Sequence, residues 1–103
     1  MYKASIIIPY YRKKIFFKKT IKSILNQSYK NFEVIIIYDD YNKNELKFVK
    51  DIVKKDQRLR LIVNKTNIGA GESRNRGLKL AKGQYICFID ADDVWMKDKL
   101  KVH

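Results

Sequence analysis

The chain has 103 residues, 46% of them hydrophobic and 33% charged, which supports one domain with one core and excludes both two independent domains and a disordered chain. Its formal net charge is +12, supplied mainly by lysines spread along the whole length. That charge leaves three readings open: nucleic-acid binding, attraction to an anionic membrane surface, and a lysine-biased composition, as AT-rich codons produce, that solvates helix faces.

Met1-Tyr2-Lys3 leads almost directly into a β-branched run, so no signal peptide is expected. That run, Ala4 to Ile8, is predicted as a strand stopped by Pro9, which cannot donate to a ladder. Phe17, Ile21, Ile24 and Leu25 then recur at helical spacing. A second strand is predicted over Phe32 to Tyr38, and a second helix carries Leu46, Val49, Ile52 and Val53. A third strand follows at Leu59 to Val63. A third helix runs from Glu72 to Ala81, with Gly83 as its stop signal. Tyr85 to Ile89 is the fourth strand, and a fourth helix starts near Met96. The strand runs are apolar throughout, as suits strands buried on both faces. Cys87 lies in one of them and is expected to be a buried thiol; as the single cysteine it forms no internal disulfide, which suits a reducing compartment. No apolar run approaches the length that spans a bilayer.

Strands alternating with helices predict an α/β domain over residues 1–103, in three layers around a mainly parallel sheet. Ligands of such sheets bind outside the carboxyl ends of the strands. Those positions hold Pro9-Tyr10-Tyr11-Arg12, Asp39-Asp40, Asn64 to Gly69, and Asp90-Ala91-Asp92-Asp93. Five carboxylates are therefore expected on one rim. Aspartates also cap helices and populate turns. Like charges this close repel, however, and a cation is the usual remedy. Asp90 and Asp92, two apart in extended chain, are expected to point the same way. Hard oxygen donors suit Mg²⁺ or Mn²⁺ shared with a phosphate ligand. Asn67 to Asn75 opens the third helix, where glycines permit close approach, free N–H groups favour anions and Arg74 adds a positive charge. A dinucleotide fingerprint is excluded, because Pro9 to Lys14 holds no glycine. A Walker A loop is absent.

These residues resemble the N-terminal half of family 2 glycosyltransferases, of GT-A fold. Ser5-Ile6-Ile7-Ile8-Pro9-Tyr10-Tyr11-Arg12 is similar to the family's S-x-I-I-P-x-Y-N/R start. Thr20 to Tyr29 resembles its S-I-L-x-Q-x-Y/F helix end, and Phe32-Glu33 with the run to Asp39-Asp40 its E-x-I-I-V-D-D-x-S. Asn67-Ile68-Gly69, Arg74-Asn75-Arg76-Gly77 and Ala81 to Ile86 follow N-x-G, R-N-x-G and A-x-G-x-Y-I. Asp90-Ala91-Asp92-Asp93-Val94-Trp95 matches D-x-D-D-x-W/Y.

The resemblance implies a Rossmann-like half that holds a nucleoside diphosphate sugar, UDP-linked in most such families, with Mg²⁺ or Mn²⁺. Pro9, Tyr10 and Tyr11 would line the base pocket. An aspartate after the second strand would bond the base. An ungapped alignment sets Asp39 on the family's second aspartate and Tyr38 on its first, leaving the choice between Asp39 and Asp40 open. Arg74 would lie near the nucleotide; Asp90 and Asp92 would hold ribose and metal, with Asp93 a further ligand. Family members invert the anomeric carbon, and surface polysaccharide or lipopolysaccharide is the implied product. The glycan or lipid-linked acceptor and the catalytic base belong to a C-terminal half, so no catalytic residue is expected in residues 1–103. A cytoplasmic protein, peripherally associated with the inner face of the membrane and without a nucleic-acid partner, is the implied setting. The rival reading is a basic module for nucleic acid or anionic lipid, without catalysis.

Overall fold

Strands and helices alternate through residues 2–92, the part of the chain that the computed structural model describes. They are β1 (Ala4–Tyr10), α1 (Lys14–Leu25), β2 (Phe32–Tyr38), α2 (Leu46–Val53), β3 (Leu59–Val63), α3 (Ala70–Leu80) and β4 (Tyr85–Phe88). The helix expected from Met96 lies outside the described residues. All pairings are parallel, in the order β3-β2-β1-β4. The chain thus steps twice in one direction and then crosses to the far edge. Right-handed crossovers therefore set α1 and α2 on one face of the sheet and α3 on the other. The α/β three-layer expectation holds.

The period-2 alternation of strands sorts the side chains between the two faces. Ile6, Ile8 and Tyr10 of β1, with Val34, Ile36 and Tyr38 of β2, are buried in one cluster with Phe17, Ile21 and Ile24 of α1 and Val49 and Ile52 of α2. Each such side chain contributes roughly 1.5–3 kcal/mol by leaving water. The opposite face carries Ser5, Ile7, Glu33, Ile35, Ile37 and Asp39, all buried, and covers them with α3. The fit there is close: a Cβ at Gly77 would stand 2.6 Å from Ile7 Cγ2.

Glu33 is fully buried, and among the described residues its hydrogen bonds come from three donors. Ser5 Oγ donates to its Oε2 at 2.6 Å, Lys82 N to the same oxygen at 2.6 Å, and Arg60 Nη1 to Oε1 at 3.2 Å. Burial alone would raise its pKa, but these hydrogen bonds and the Arg60 charge hold it below the ordinary carboxylate range.

Four expectations need correction. β1 does not stop before Pro9 but runs through it, Pro9 standing opposite Ile37. Ile7 gives its carbonyl to Ile89 on the β4 side. Two residues on, Pro9 turns its nitrogen to that same side, past the last β4 residue, where no donor is needed. Gly83 is not a helix stop, since α3 ends on an extended Ala81. It is small because a Cβ would lie 2.6 Å from Ser5 N. β3 and β4 are not buried on both faces; Tyr85 and Phe88 are exposed because β4 has a partner on one side only in the described sheet. For the same reason Cys87 is only partly buried. Among the described residues, no helix is long and apolar enough to cross a membrane.

Candidate functional site

β1, β2 and β3 end in step, Tyr10 beside Tyr38 and Tyr38 beside Val63, while β4 ends earlier, opposite Ile7. Asp39 N donates to Tyr10 O at 2.8 Å, Asn64 N to Tyr38 O at 2.9 Å, and Ile89 N to Ile7 O at 3.2 Å. The ladder therefore continues past each strand and carries Asn64, Asp39 and Tyr11 side by side onto the carboxyl rim, with Asp90 level with Pro9 at the β4 edge. A cleft of about 450 Å³ opens over that rim, walled by Pro9, Tyr11, Lys13, Asp39, Asp90 and Asp92 among others.

Asp39 forms one wall and clamps the loop before α3. Its Oδ1 accepts from Asn64 Nδ2 at 3.0 Å and from Ile68 N at 2.7 Å; its Oδ2 accepts from Gly69 N at 2.9 Å. Gly69 takes φ 92° and ψ 159°, a conformation open in practice to glycine alone. The N–H groups of Ile68 and Gly69, expected to serve a bound anion, are thus turned onto a carboxylate of the chain itself. Asn64 links this clamp to α3, donating to Ser73 Oγ at 3.1 Å while its Oδ1 accepts from Arg76.

Asp40 faces elsewhere. Its Oδ2 accepts from Arg12 Nε at 2.8 Å, and its Oδ1 from Asn42 N at 3.0 Å. The Arg12 guanidinium beside it holds the Asp40 carboxyl below the usual range. Asp40 does not line the cleft; of the two acids, Asp39 does. Arg12 itself has φ 52°, rare for a side-chain-bearing residue, and the ion pair fixes that turn. Tyr10 lines the cleft as expected, but it is fully buried and its ring belongs to the core. Its ring lies edge-on to Phe17 at 4.9 Å and stacked on Tyr38 at 5.5 Å, with its hydroxyl donating to Glu45. Burial, then the bonded Glu45, drives its pKa upward. Tyr11, 42% exposed, also lines the cleft, with the Arg12 guanidinium 4.8 Å from its ring centre.

Asp90 and Asp92 also line the cleft, with Ala91 and Asp92 in a turn and not in the extended chain expected. Each meets a cation: Arg74 Nη2 lies 3.4 Å from Asp90 Oδ1, and Lys13 Nζ lies 3.4 Å from Asp92 Oδ2. Both carboxylates remain accessible, their side chains 64% and 38% exposed. Among the described residues no three His, Cys, Asp or Glu side chains gather into a metal cage. Two accessible carboxylates suit instead an ion such as Mg²⁺, which keeps waters and shares itself with a phosphate ligand. The donor set fits that use. Asp93, the third expected ligand, lies outside the described residues.

Of the five acids expected on one rim, the structure thus brings together Asp39, Asp90 and Asp92, and turns Asp40 away. Arg74 does not line the cleft but pairs with Asp90, which does. Sequence reasoning missed Lys13 and the Arg76–Asn64–Asp39 chain. One lysine among so many carries no local signal, and the chain joins residues that only the register brings together.

A model of the family described as "Glycosyl transferase family 2" matches residues 5–103. An uncharacterized glycosyltransferase of Haemophilus influenzae is 41% identical over 97 residues, covering 94% of this chain and 39% of that protein. A protein of Escherichia coli, "UDP-Glc:alpha-D-GlcNAc-diphosphoundecaprenol beta-1,3-glucosyltransferase WfgD", is 37% identical over 101 residues, covering 98% of this chain and 39% of its own length. Among solved structures, S. aureus TarS 1-349 in complex with UDP superposes with a TM-score of 0.85 at 32% identity, over 96% of this chain and 30% of TarS. The chain therefore spans well under half of each of these proteins. From the family model across nearly its whole length, and the parallel sheet whose rim carries the matching motifs, this chain belongs to the family 2 glycosyltransferases.

Proposed function

We propose that the chain is the donor-binding part of an inverting glycosyltransferase that uses a UDP-linked sugar with Mg²⁺ or Mn²⁺ to build bacterial surface polysaccharide or lipopolysaccharide. One observation carries this reading. One cleft is lined both by a buried acceptor, Asp39, and by an accessible carboxylate pair, Asp90 and Asp92, with two adjacent cations. TarS, whose fold this chain shares over 96% of its length, has been solved with UDP.

Each residue then has a distinct task. Asp39 keeps acceptor capacity on Oδ2, which takes one protein N–H, and offers it to an N–H of the base. Tyr11 gives the base an aromatic wall. Asp90 and Asp92, with Asp93, would hold the metal, which when bound would supply Lewis-acid stabilisation of the diphosphate leaving group. Arg74 and Lys13 bring positive charge to the same diphosphate. In the reaction the bond from the anomeric carbon to the diphosphate oxygen breaks as a bond to the acceptor oxygen forms on the opposite side. A carboxylate takes the acceptor proton. We assign that carboxylate and the acceptor site to another part of a longer protein, so residues 1–103 bind donor without efficient transfer. WfgD is named for a diphosphoundecaprenol-linked acceptor. A lipid-linked acceptor reached from the cytoplasmic face of the membrane is the corresponding proposal here.

Calorimetry with UDP, with and without Mn²⁺, beside a salt titration against duplex DNA, tests the reading. Metal-dependent UDP binding is expected. Steeply salt-dependent DNA binding without any UDP binding would overturn it in favour of a basic binding module.

A further inference from the structure

The positive charge is not evenly placed. α1 carries Lys14, Lys18, Lys19 and Lys22 and no acid. α2 adds Lys47 and Lys50 against the one carboxylate Asp51, which already pairs with Lys47 and Lys54. Ile15, Lys18, Lys19 and Lys22 follow one another at i, i+3, i+4 and i+7, so they share the outward stripe of α1. Ile15 is 89% exposed at the start of that stripe, and its neighbour Phe16 is 50% exposed.

Between the two helices lies a groove of about 320 Å³. Ile21, Leu25 and Ile52 give it an aliphatic floor, and Lys18, Lys22 and Lys55 stand around it. Among the described residues no carboxylate pairs with these three lysines. α1 runs from the carboxyl rim toward the opposite edge of the sheet. The groove, in its second half, therefore shares no residue with the donor cleft.

We propose that the outer surface of α1 and α2 docks on an anionic lipid bilayer. The groove takes a phospholipid, its phosphate among Lys18, Lys22 and Lys55 and its glycerol and upper acyl carbons over Ile21, Leu25 and Ile52. Ile15 and Phe16 enter the headgroup boundary at the other end of α1. Three properties select this partner. The net charge of the surface is complementary to anionic headgroups. Lysine stems lie along apolar surface while their ammonium groups reach phosphate, an arrangement that fits an interface between water and acyl chains. The groove floor is aliphatic and offers no aromatic platform for bases, which argues against single-stranded nucleic acid. This docking holds the donor cleft beside the bilayer without covering it. It rests on the proposed function for its purpose only, since lipid binding and UDP binding involve different residues.

The test is co-sedimentation of the 103-residue chain with vesicles, at physiological ionic strength. One set is pure phosphatidylcholine; the other contains two parts phosphatidylcholine to one of phosphatidylglycerol. Binding is expected to the anionic vesicles and not to the neutral ones. The triple variant Lys18→Glu, Lys22→Glu, Lys55→Glu should lower partitioning by about a hundredfold. An equal charge change off this surface, Lys65→Glu, Lys79→Glu, Lys82→Glu, should lower it by about threefold or less. All six side chains are exposed, so both triples should fold. Ile15→Asp, also at an exposed site, should weaken binding by a further factor of about ten. Equal losses from the two triples, equal binding to neutral vesicles, or tighter binding to duplex DNA lost with the first triple would each overturn the proposal. UDP calorimetry on the same proteins separates the two readings. Vesicle binding without UDP binding leaves the docking surface standing and removes the donor site, and the reverse result removes the docking surface alone.

Discussion

β2 sends two carboxylates to the same face, Glu33 near its start and Asp39 just past its end, and each grips one end of α3. Glu33 takes the N–H of Lys82 after the helix; Asp39 takes those of Ile68 and Gly69 before it. Both are buried and both are satisfied by donors. The difference lies in what stands beyond them. Glu33 is sealed by Ser5 and Arg60 and is not among the residues that line the cleft. Asp39 forms part of the cleft wall. The same chemistry thus serves as a fastening at one end of the strand and as fastening plus recognition at the other. A buried acid is not a site by its burial; the open volume beside it makes the distinction.

Removing the sealed acid has the largest expected effect. Glu33→Ala leaves Ser5 Oγ, Lys82 N and the Arg60 guanidinium without their acceptor, and should cost about 3 kcal/mol in denaturant unfolding. UDP affinity of the remaining folded protein should stay within about threefold. A large loss of affinity at unchanged stability would reverse the roles assigned to the two acids. Asp39→Asn comes next. An amide there must set its NH₂ against N–H donors on one side, which should cost about 2 kcal/mol. It should also weaken UDP binding by at least about tenfold, or 1.4 kcal/mol. If UDP binding survives, Asp39 is a fastening like Glu33 and nothing more.

The two acids were unequally legible in the sequence. Apolar runs and helical spacing located every described element to within a few residues, because burial on a face imposes its period on the chain. The D-x-D-D run announced Asp90 and Asp92 in the same way, as like charges crowded at a strand end. Pairing register is not local, and what depended on it was less visible. The passage of Pro9 through β1 required knowing that β4 ends opposite Ile7. Glu33 reads as one polar residue in a strand until Ser5, Arg60 and Lys82 close round it. Asp39 and Asp40, adjacent and identical in type, separate only when alternation sends one toward α3 and the other to Arg12. Tyr10 and Tyr11 separate for the same reason.

A smaller effect is expected at Gly69, where the clamp on Asp39 depends on backbone shape and not on a side chain. Gly69→Ala meets no atom within 4 Å, so any loss reflects the φ of 92° and not crowding. The cost should be about 1.5 kcal/mol, with UDP affinity falling several-fold because the Gly69 N–H no longer fixes Asp39. An unchanged unfolding midpoint would show that the loop relaxes freely and that the clamp does not constrain the cleft.

The smallest expected effect is in acid, and it tests the sealed end against a pair whose cation reaches solvent. Glu33 and Asp40 both have lowered folded-state pKa values. For such groups the unfolded chain binds protons more readily than the folded one. Their stabilisation is fully present above the unfolded carboxylate pKa of about 4, and is lost as pH falls through the depressed folded value. Asp40 is paired with an Arg12 side chain that is 44% exposed, so solvent screens much of its share, which should be less than about 1 kcal/mol. Asp40→Asn should therefore flatten the acid limb of the stability profile slightly below pH 4, while Glu33→Gln flattens it more, because no water screens the bonds from Ser5 and Lys82. Equal flattening by the two substitutions would mean that solvent at the Arg12 side chain does not screen the Asp40 pair.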